Sequence, residues 1–107
     1  MISEERLQKA LTYLANTDEP YAKARAYLDA MKVREKTVLA TSYLNISGGT
    51  VAEKDHKARE SKAYEEWQKN YEDAVYDHEI MRNKRSTEAL IVEVWRTESA
   101  NQRRGNI

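Results

Sequence analysis

The sequence has no cysteine, one proline and three glycines in 107 residues. Without cysteine there is no disulfide framework, no thiolate metal site and no cysteine nucleophile, and nothing points to secretion. With so little turn material, and with Ala, Glu, Lys, Arg and Leu dominant, the composition favours an all-α fold. The longest apolar run, from Ala89 to Val92, is far too short to cross a membrane. The opening Met1-Ile2-Ser3-Glu4-Glu5 lacks the basic-then-apolar pattern of a secretory leader, so the cytoplasm is the expected compartment. Net charge is absent as well: 18 basic side chains balance 18 acidic ones, and a chain without basic excess lacks the mark of a dedicated DNA binder.

What is present is helix. No proline or glycine interrupts Val51 to Arg104, and Thr50-Val51-Ala52-Glu53 reads as a capping box, whose hydroxyl and carboxylate satisfy free backbone N–H groups at a helix start. Counting alternately by three and four gives Tyr64, Trp67, Tyr71, Ala74, His78, Met81, Arg85, Glu88, Val92 and Trp95, a heptad seam with two charged places near its middle. This helix is expected over about 50–102, with a frayed tail at 103–107.

Two shorter helices are expected before it. Ser3 is a fitting N-cap for a helix over 3–16 with the stripe Leu7, Ala10, Leu11 and Leu14. Thr17-Asp18-Glu19-Pro20 then supplies cap residues and a proline suited to a first helical turn, so a second helix is expected over 20–47. Its stripe is Tyr21, Ala24, Leu28, Met31, Glu35 and Val38. Gly48-Gly49 closes it in the left-handed conformation, and the short loop makes the second and third helices antiparallel. The expected architecture is one all-α domain over 1–107: an antiparallel coiled-coil hairpin with a short N-terminal helix and one very long C-terminal helix.

By length, the second helix covers only the first half of the third, which leaves Ala89-Leu90-Ile91-Val92-Glu93-Val94-Trp95 projecting and apolar on more than one face. Such a segment needs a partner. A homo-oligomer, most simply a two-fold dimer, is therefore expected, with Tyr64, Trp67, Tyr71, Ala74, His78, Met81, Leu90, Ile91, Val92, Val94 and Trp95 as candidate interface residues. The alternative is that the β-branched run breaks away as a strand after Ser86-Thr87, although no second strand is visible to pair with it. Charge is uneven: residues 50–81 carry 5 basic and 9 acidic groups, and residues 82–107 carry 6 and 3. Antiparallel pairing of two such helices would set opposite charges alongside one another, although a solvated mixed-charge surface accounts for the same pattern.

Catalytic and metal chemistry find little support. The single Glu53-x-x-His56 has the spacing used in di-iron bundles, but such sites need a second copy and two further glutamates, and His78 has Val75 at the matching place. His78 itself reads as a seam residue, with a pH-sensitive contact as the sharper alternative. No serine lies in a nucleophile motif, and Gly48-Gly49 is not followed by the Lys-Ser/Thr of a phosphate loop. No enzyme activity and no cofactor are expected. The nucleic-acid reading rests on Arg82, Lys84, Arg85, Arg96, Arg103 and Arg104, which concentrate positive charge in the last quarter, with Trp95 placed to stack on a base.

The run Glu93-Val94-Trp95-Arg96-Thr97-Glu98-Ser99-Ala100-Asn101-Gln102-Arg103-Arg104-Gly105-Asn106-Ile107, with Thr50-Val51-Ala52-Glu53 and Ala58 earlier, resembles the ends of small helical proteins encoded in bacteriophage and prophage genomes. The resemblance covers about the last half of the chain and transfers no functional residue. It implies a bacterial host cytoplasm and a non-enzymatic accessory factor. That factor would bind a protein partner or scaffold an assembly, or alternatively bind DNA beside phage recombination and replication functions.

Overall fold

A computed structural model describes residues 1–105 of the chain. Helix α1 spans Glu4–Leu44, α2 spans Val51–Arg59 and α3 spans Lys62–Gly105. There is no strand among the described residues, so the β-branched run 89–95 is helical. The all-α architecture expected from composition is therefore observed. The single expected domain resolves into two compact units, one of Met1–Lys23 with the chain from Glu79 on, the other of Ala24–His78.

Three boundaries differ from the expected ones. Helices at 3–16 and 20–47 are a single helix, α1, with Pro20 inside it. Proline removes the N–H that would bond the Asn16 carbonyl and crowds that carbonyl, which ordinarily breaks or kinks a helix. Here the turn before it is held from the side. Thr17 Oγ1 donates to the Tyr13 carbonyl at 2.7 Å, and Arg85 Nη1 donates to the Leu14 carbonyl at 2.9 Å and to Thr17 Oγ1. The seam also runs unbroken through the proline, since Leu7, Ala10, Leu14, Thr17 and Tyr21 keep the alternate three-and-four spacing and are all buried or half-buried.

The second difference lies at Glu60-Ser61, where the expected 50–102 helix divides into α2 and α3 without any glycine or proline. Ser61 is the N-cap of α3: its hydroxyl accepts from the Tyr64 N–H at 3.2 Å and donates to the Ala58 carbonyl at 2.7 Å. The third lies at the C-terminus, where residues 103–105 of the expected tail are helical and 106–107 fall outside the described residues.

The helix ends read from sequence are present. Ser3 Oγ accepts from the Arg6 N–H at 3.1 Å, and both halves of the Thr50/Glu53 capping box form. Gly48 and Gly49 have φ of +75° and +96°, which only glycine adopts without strain.

In the unit of residues 24–78, α1 and α3 pack antiparallel. Met31, Tyr64 and Trp67 form the buried cluster, with Val38, Leu39 and Tyr71 against it. Trp67 lies between Tyr64 and Tyr71, its ring stacked on both at centroid distances of 5.5 and 5.1 Å. Its Nε1 donates to the Met31 carbonyl at 2.8 Å, satisfying the one polar atom that burial would otherwise orphan. Nearer the turn, Ser61 Oγ lies 3.1 Å from Ser42 Oγ, and Lys54 Nζ sits 5.7 Å from the centre of the Tyr43 ring.

In the other unit the same two helices are again antiparallel, and here polar contacts join the apolar ones. Leu7 and Ala10 are buried. Ile2 N–H donates to Glu98 at 2.9 Å, Arg6 pairs with Glu88 at 2.7 Å and Arg85 pairs with Asp18 at 2.6 Å. Contrary to the expectation from helix lengths, the end of α3 is not left uncovered. Its inner face is lined by the first half of α1.

Candidate interaction surface

The two charged places in the α3 seam face partners on α1. Arg85 has four: the Leu14 carbonyl, Thr17 Oγ1, the Asp18 carboxylate and the Tyr21 ring, whose centre is 5.3 Å from the guanidinium carbon. Its planar fork suits this use, because it donates in several directions while its face rests on the aromatic ring. Glu88 accepts from Arg6. That hydrogen bond, with the charge of Arg6, holds the Glu88 carboxyl below the ordinary carboxylate range and raises Arg6 correspondingly.

These contacts decide what remains for a partner. Tyr64, Trp67, Ala74 and His78 are buried inside their own unit and Tyr71 packs on its core, so these five candidate interface residues are spent within the chain. Continuous α1 supplies the face on which they pack. Met81, Ile91, Val92 and Trp95 are half-buried. Leu90 and Val94 stay out, with 63% and 37% of their surface exposed.

The basic residues separate in the same way. Arg85 is turned into the hairpin and is not a free phosphate contact. Arg82 pairs with Glu79 at 3.4 Å and Arg96 with Glu93 at 3.0 Å, both one turn away on α3. Lys84, Arg103 and Arg104 are exposed. Near the end of α3 an open groove is lined by Met1, Ile2, Trp95, Glu98, Gln102 and Arg103, among others, so that the Trp95 ring borders basic and acidic groups alike.

Glu53 and His56 do not converge on a common point. Glu53 completes the cap, accepting from Thr50 N–H at 3.4 Å, and His56 Nε2 lies 3.0 Å from Glu60. Among the described residues no three His, Cys, Asp or Glu side chains are grouped to hold a metal ion. None of the described helices is long and apolar enough to cross a membrane.

The chain matches no protein-family model, no curated protein and no solved structure.

Two further large apolar residues of α3 lie outside the seam. Tyr76 and Ile80 are exposed on α3, at 67% and 38%. Their only sequence signal is a second three-and-four ladder, offset from the seam, that continues to Leu90 and Val94.

Proposed function

We propose that this chain is a non-enzymatic accessory protein of phage type that works by association: its helical hairpin pairs with a second copy, and the pair scaffolds or binds a further protein. The observation that carries this reading is the exposure of Leu90 and Val94 on the outer side of a helix whose inner side is already occupied by α1. Large apolar side chains repeated on one outward helix face mark an interaction site more often than an idle surface.

Sedimentation velocity tests it. The wild-type chain should sediment as a dimer or larger species, and Leu90→Lys with Val94→Lys should give a monomer with an unchanged helical spectrum. A wild-type monomer at about 100 µM would overturn the reading, since a functional coiled-coil pair binds more tightly than that.

A second reading, DNA binding, is favoured by the exposure of Lys84, Arg103 and Arg104. Affinity for a short duplex should then fall with salt, with a log-log slope of about −0.9 per phosphate neutralised, and should drop on Arg103→Ala with Arg104→Ala. Absence of binding at low salt leaves the protein-association reading standing alone.

A further inference from the structure

The two compact units are fastened by different chemistry. In the unit of Ala24–His78 the hydrogen bonds across the hairpin are neutral: Trp67 Nε1 donates to the Met31 carbonyl, and the Ser61 and Ser42 hydroxyls meet at 3.1 Å. In the unit of Met1–Lys23 with the chain from Glu79 on, three of them end on carboxylates. Ile2 N–H donates to Glu98, Arg6 donates to Glu88 and Arg85 donates to Asp18.

Glu88 differs from the other two in being enclosed. Its side chain is 19% exposed, whereas Asp18 is 70% exposed and Glu98 borders the open groove near the end of α3. Glu88 Oε1 accepts from Arg6 Nη2 at 2.7 Å, and Oε2 is buried with no donor on it among the described residues. Around the carboxylate, α1 supplies Tyr13 and α3 supplies Asn83, Lys84 and Thr87, which line a small cavity beside it. The Thr87 hydroxyl donates to the Asn83 carbonyl, and Arg85 is turned to Asp18 and Leu14. Arg6 is thus the one charged group bonded to Glu88 among the described residues. An enclosed carboxylate with a single partner is tolerated while that partner balances its charge, and becomes costly once the balance is lost.

We propose that the Arg6–Glu88 pair is an acid-released latch: when the Glu88 carboxylate takes up a proton, Met1–Lys23 parts from the end of α3 while the unit of Ala24–His78 stays folded. The hydrogen bond and charge of Arg6 hold the folded carboxyl below its ordinary range, so the open form binds the proton more readily. The latch is therefore fully effective above the unfolded value of about 4.3 and weakens as pH falls toward the lower folded one. Between the two values the closed-to-open ratio falls about tenfold for each pH unit. Opening exposes Leu7 and Ala10, which are buried when the unit is closed, and frees Trp95 from the groove it shares with Met1 and Ile2. The latch does not depend on the self-association proposed above, which uses the outer side of α3.

Each unit contains one of the two tryptophans, Trp67 in that of Ala24–His78 and Trp95 in the other. Their indole N–H signals in nuclear magnetic resonance spectra of the isotope-labelled wild-type chain therefore report on the units separately. From pH 7 to pH 3 the Trp95 signal should move to the position of a solvent-exposed indole, with most of the change below about pH 4.3. The Trp67 signal, whose proton is bonded to the Met31 carbonyl, should stay in place. Charging of His78, buried in the unit of Trp67, acts on that second signal and is read apart. Glu88→Gln removes the titrating group and should abolish the acid response of Trp95. Arg6→Met with Glu88→Leu replaces the pair by apolar groups, a change that is often neutral or stabilising at an enclosed pair, and should keep Trp95 in its closed position down to pH 3. Persistence of the acid response in either variant, with helicity intact, would overturn the proposal by assigning the response to another carboxylate. So would a wild-type Trp95 signal that stays in place to pH 3, or Trp67 and Trp95 signals that change together.

Discussion

The Arg85 guanidinium reaches from α3 to the Asp18 carboxylate at 2.6 Å while donating to the Leu14 carbonyl at 2.9 Å, across the turn that precedes Pro20. A charged side chain at a seam position thereby bonds the backbone of the facing helix in the stretch just before the proline. Arg85→Ala should remove these bonds together with the contact on the Tyr21 ring. The expected cost is about 1.5–3 kcal/mol, the usual worth of hydrogen bonds to a charged group. Thermal unfolding should show it, at roughly 4–8 °C per kcal/mol for a small domain. Asp18→Ala should cost less than about 1 kcal/mol, because Asp18 is largely exposed and its ion pair is screened. Equal losses in the two variants would contradict the carbonyl contact as the main effect.

Pro20 is exposed, so replacing it disturbs no core. Pro20→Ala supplies the N–H missing from the interior of α1 and should raise stability by about 1–3 kcal/mol, given the roughly 3 kcal/mol penalty of proline relative to alanine in a helix interior. A fall in the thermal midpoint would mean that proline is required at this place in α1.

The Arg6–Glu88 pair makes a statement about pH. Because the folded chain holds Glu88 below its ordinary value, the unfolded chain binds that proton more readily. The contribution of Glu88 is therefore complete above its unfolded pKa of about 4.3 and is lost as pH falls through the lower folded value. Glu88→Gln should be less stable than wild type at pH 7, and the difference should shrink by pH 3. Thermal midpoints at the two pH values check this, and a constant difference would exclude the linkage.

Trp67 fills the cluster in the unit of residues 24–78 and is 7% exposed. Trp67→Ala should cost about 3–5 kcal/mol, a large part of what a chain of this size has. Trp67→Phe keeps most of the packing and loses the bond to the Met31 carbonyl, so its cost should be smaller. Denaturant unfolding followed by circular dichroism ranks the two.

Much of the architecture was legible because coiled-coil packing is written in spacing. The ladder from Tyr64 to Trp95 falls on buried or half-buried places throughout, and the cap at Thr50 and the glycine pair form as their chemistry requires. The break expected at Pro20 is absent because the apolar phase runs through it unchanged. Leu14 and Tyr21 are seven residues apart, so the two stripes read as separate helices were one stripe in register. The break at Ser61 is illegible for the opposite reason: a serine can end one helix and begin the next without any residue that forbids helix. Leu90 and Val94 were visible as apolar surplus. Tyr76 and Ile80 were not, since isolated apolar residues among Asp and Glu resemble ordinary surface until the seam is known to be filled from within the chain.

The Gly48-Gly49 turn also sets an order of events. Hydrogen bonds between the two arms close loops that lengthen steadily with distance from it: 19 residues for Ser42 and Ser61, 36 for Met31 and Trp67, 67 for Asp18 and Arg85, 96 for Ile2 and Glu98. Each doubling of loop length adds only about 0.6 kcal/mol of closure entropy, provided the inner contacts do not form first. When they do, each new pair closes only a short extension, and the hairpin zips from the turn toward its ends. The aromatic cluster should accordingly appear early in folding and the Arg85 and Glu88 contacts late. In the native state, amide protons should exchange fastest at the two termini and slowest around Met31 and Trp67.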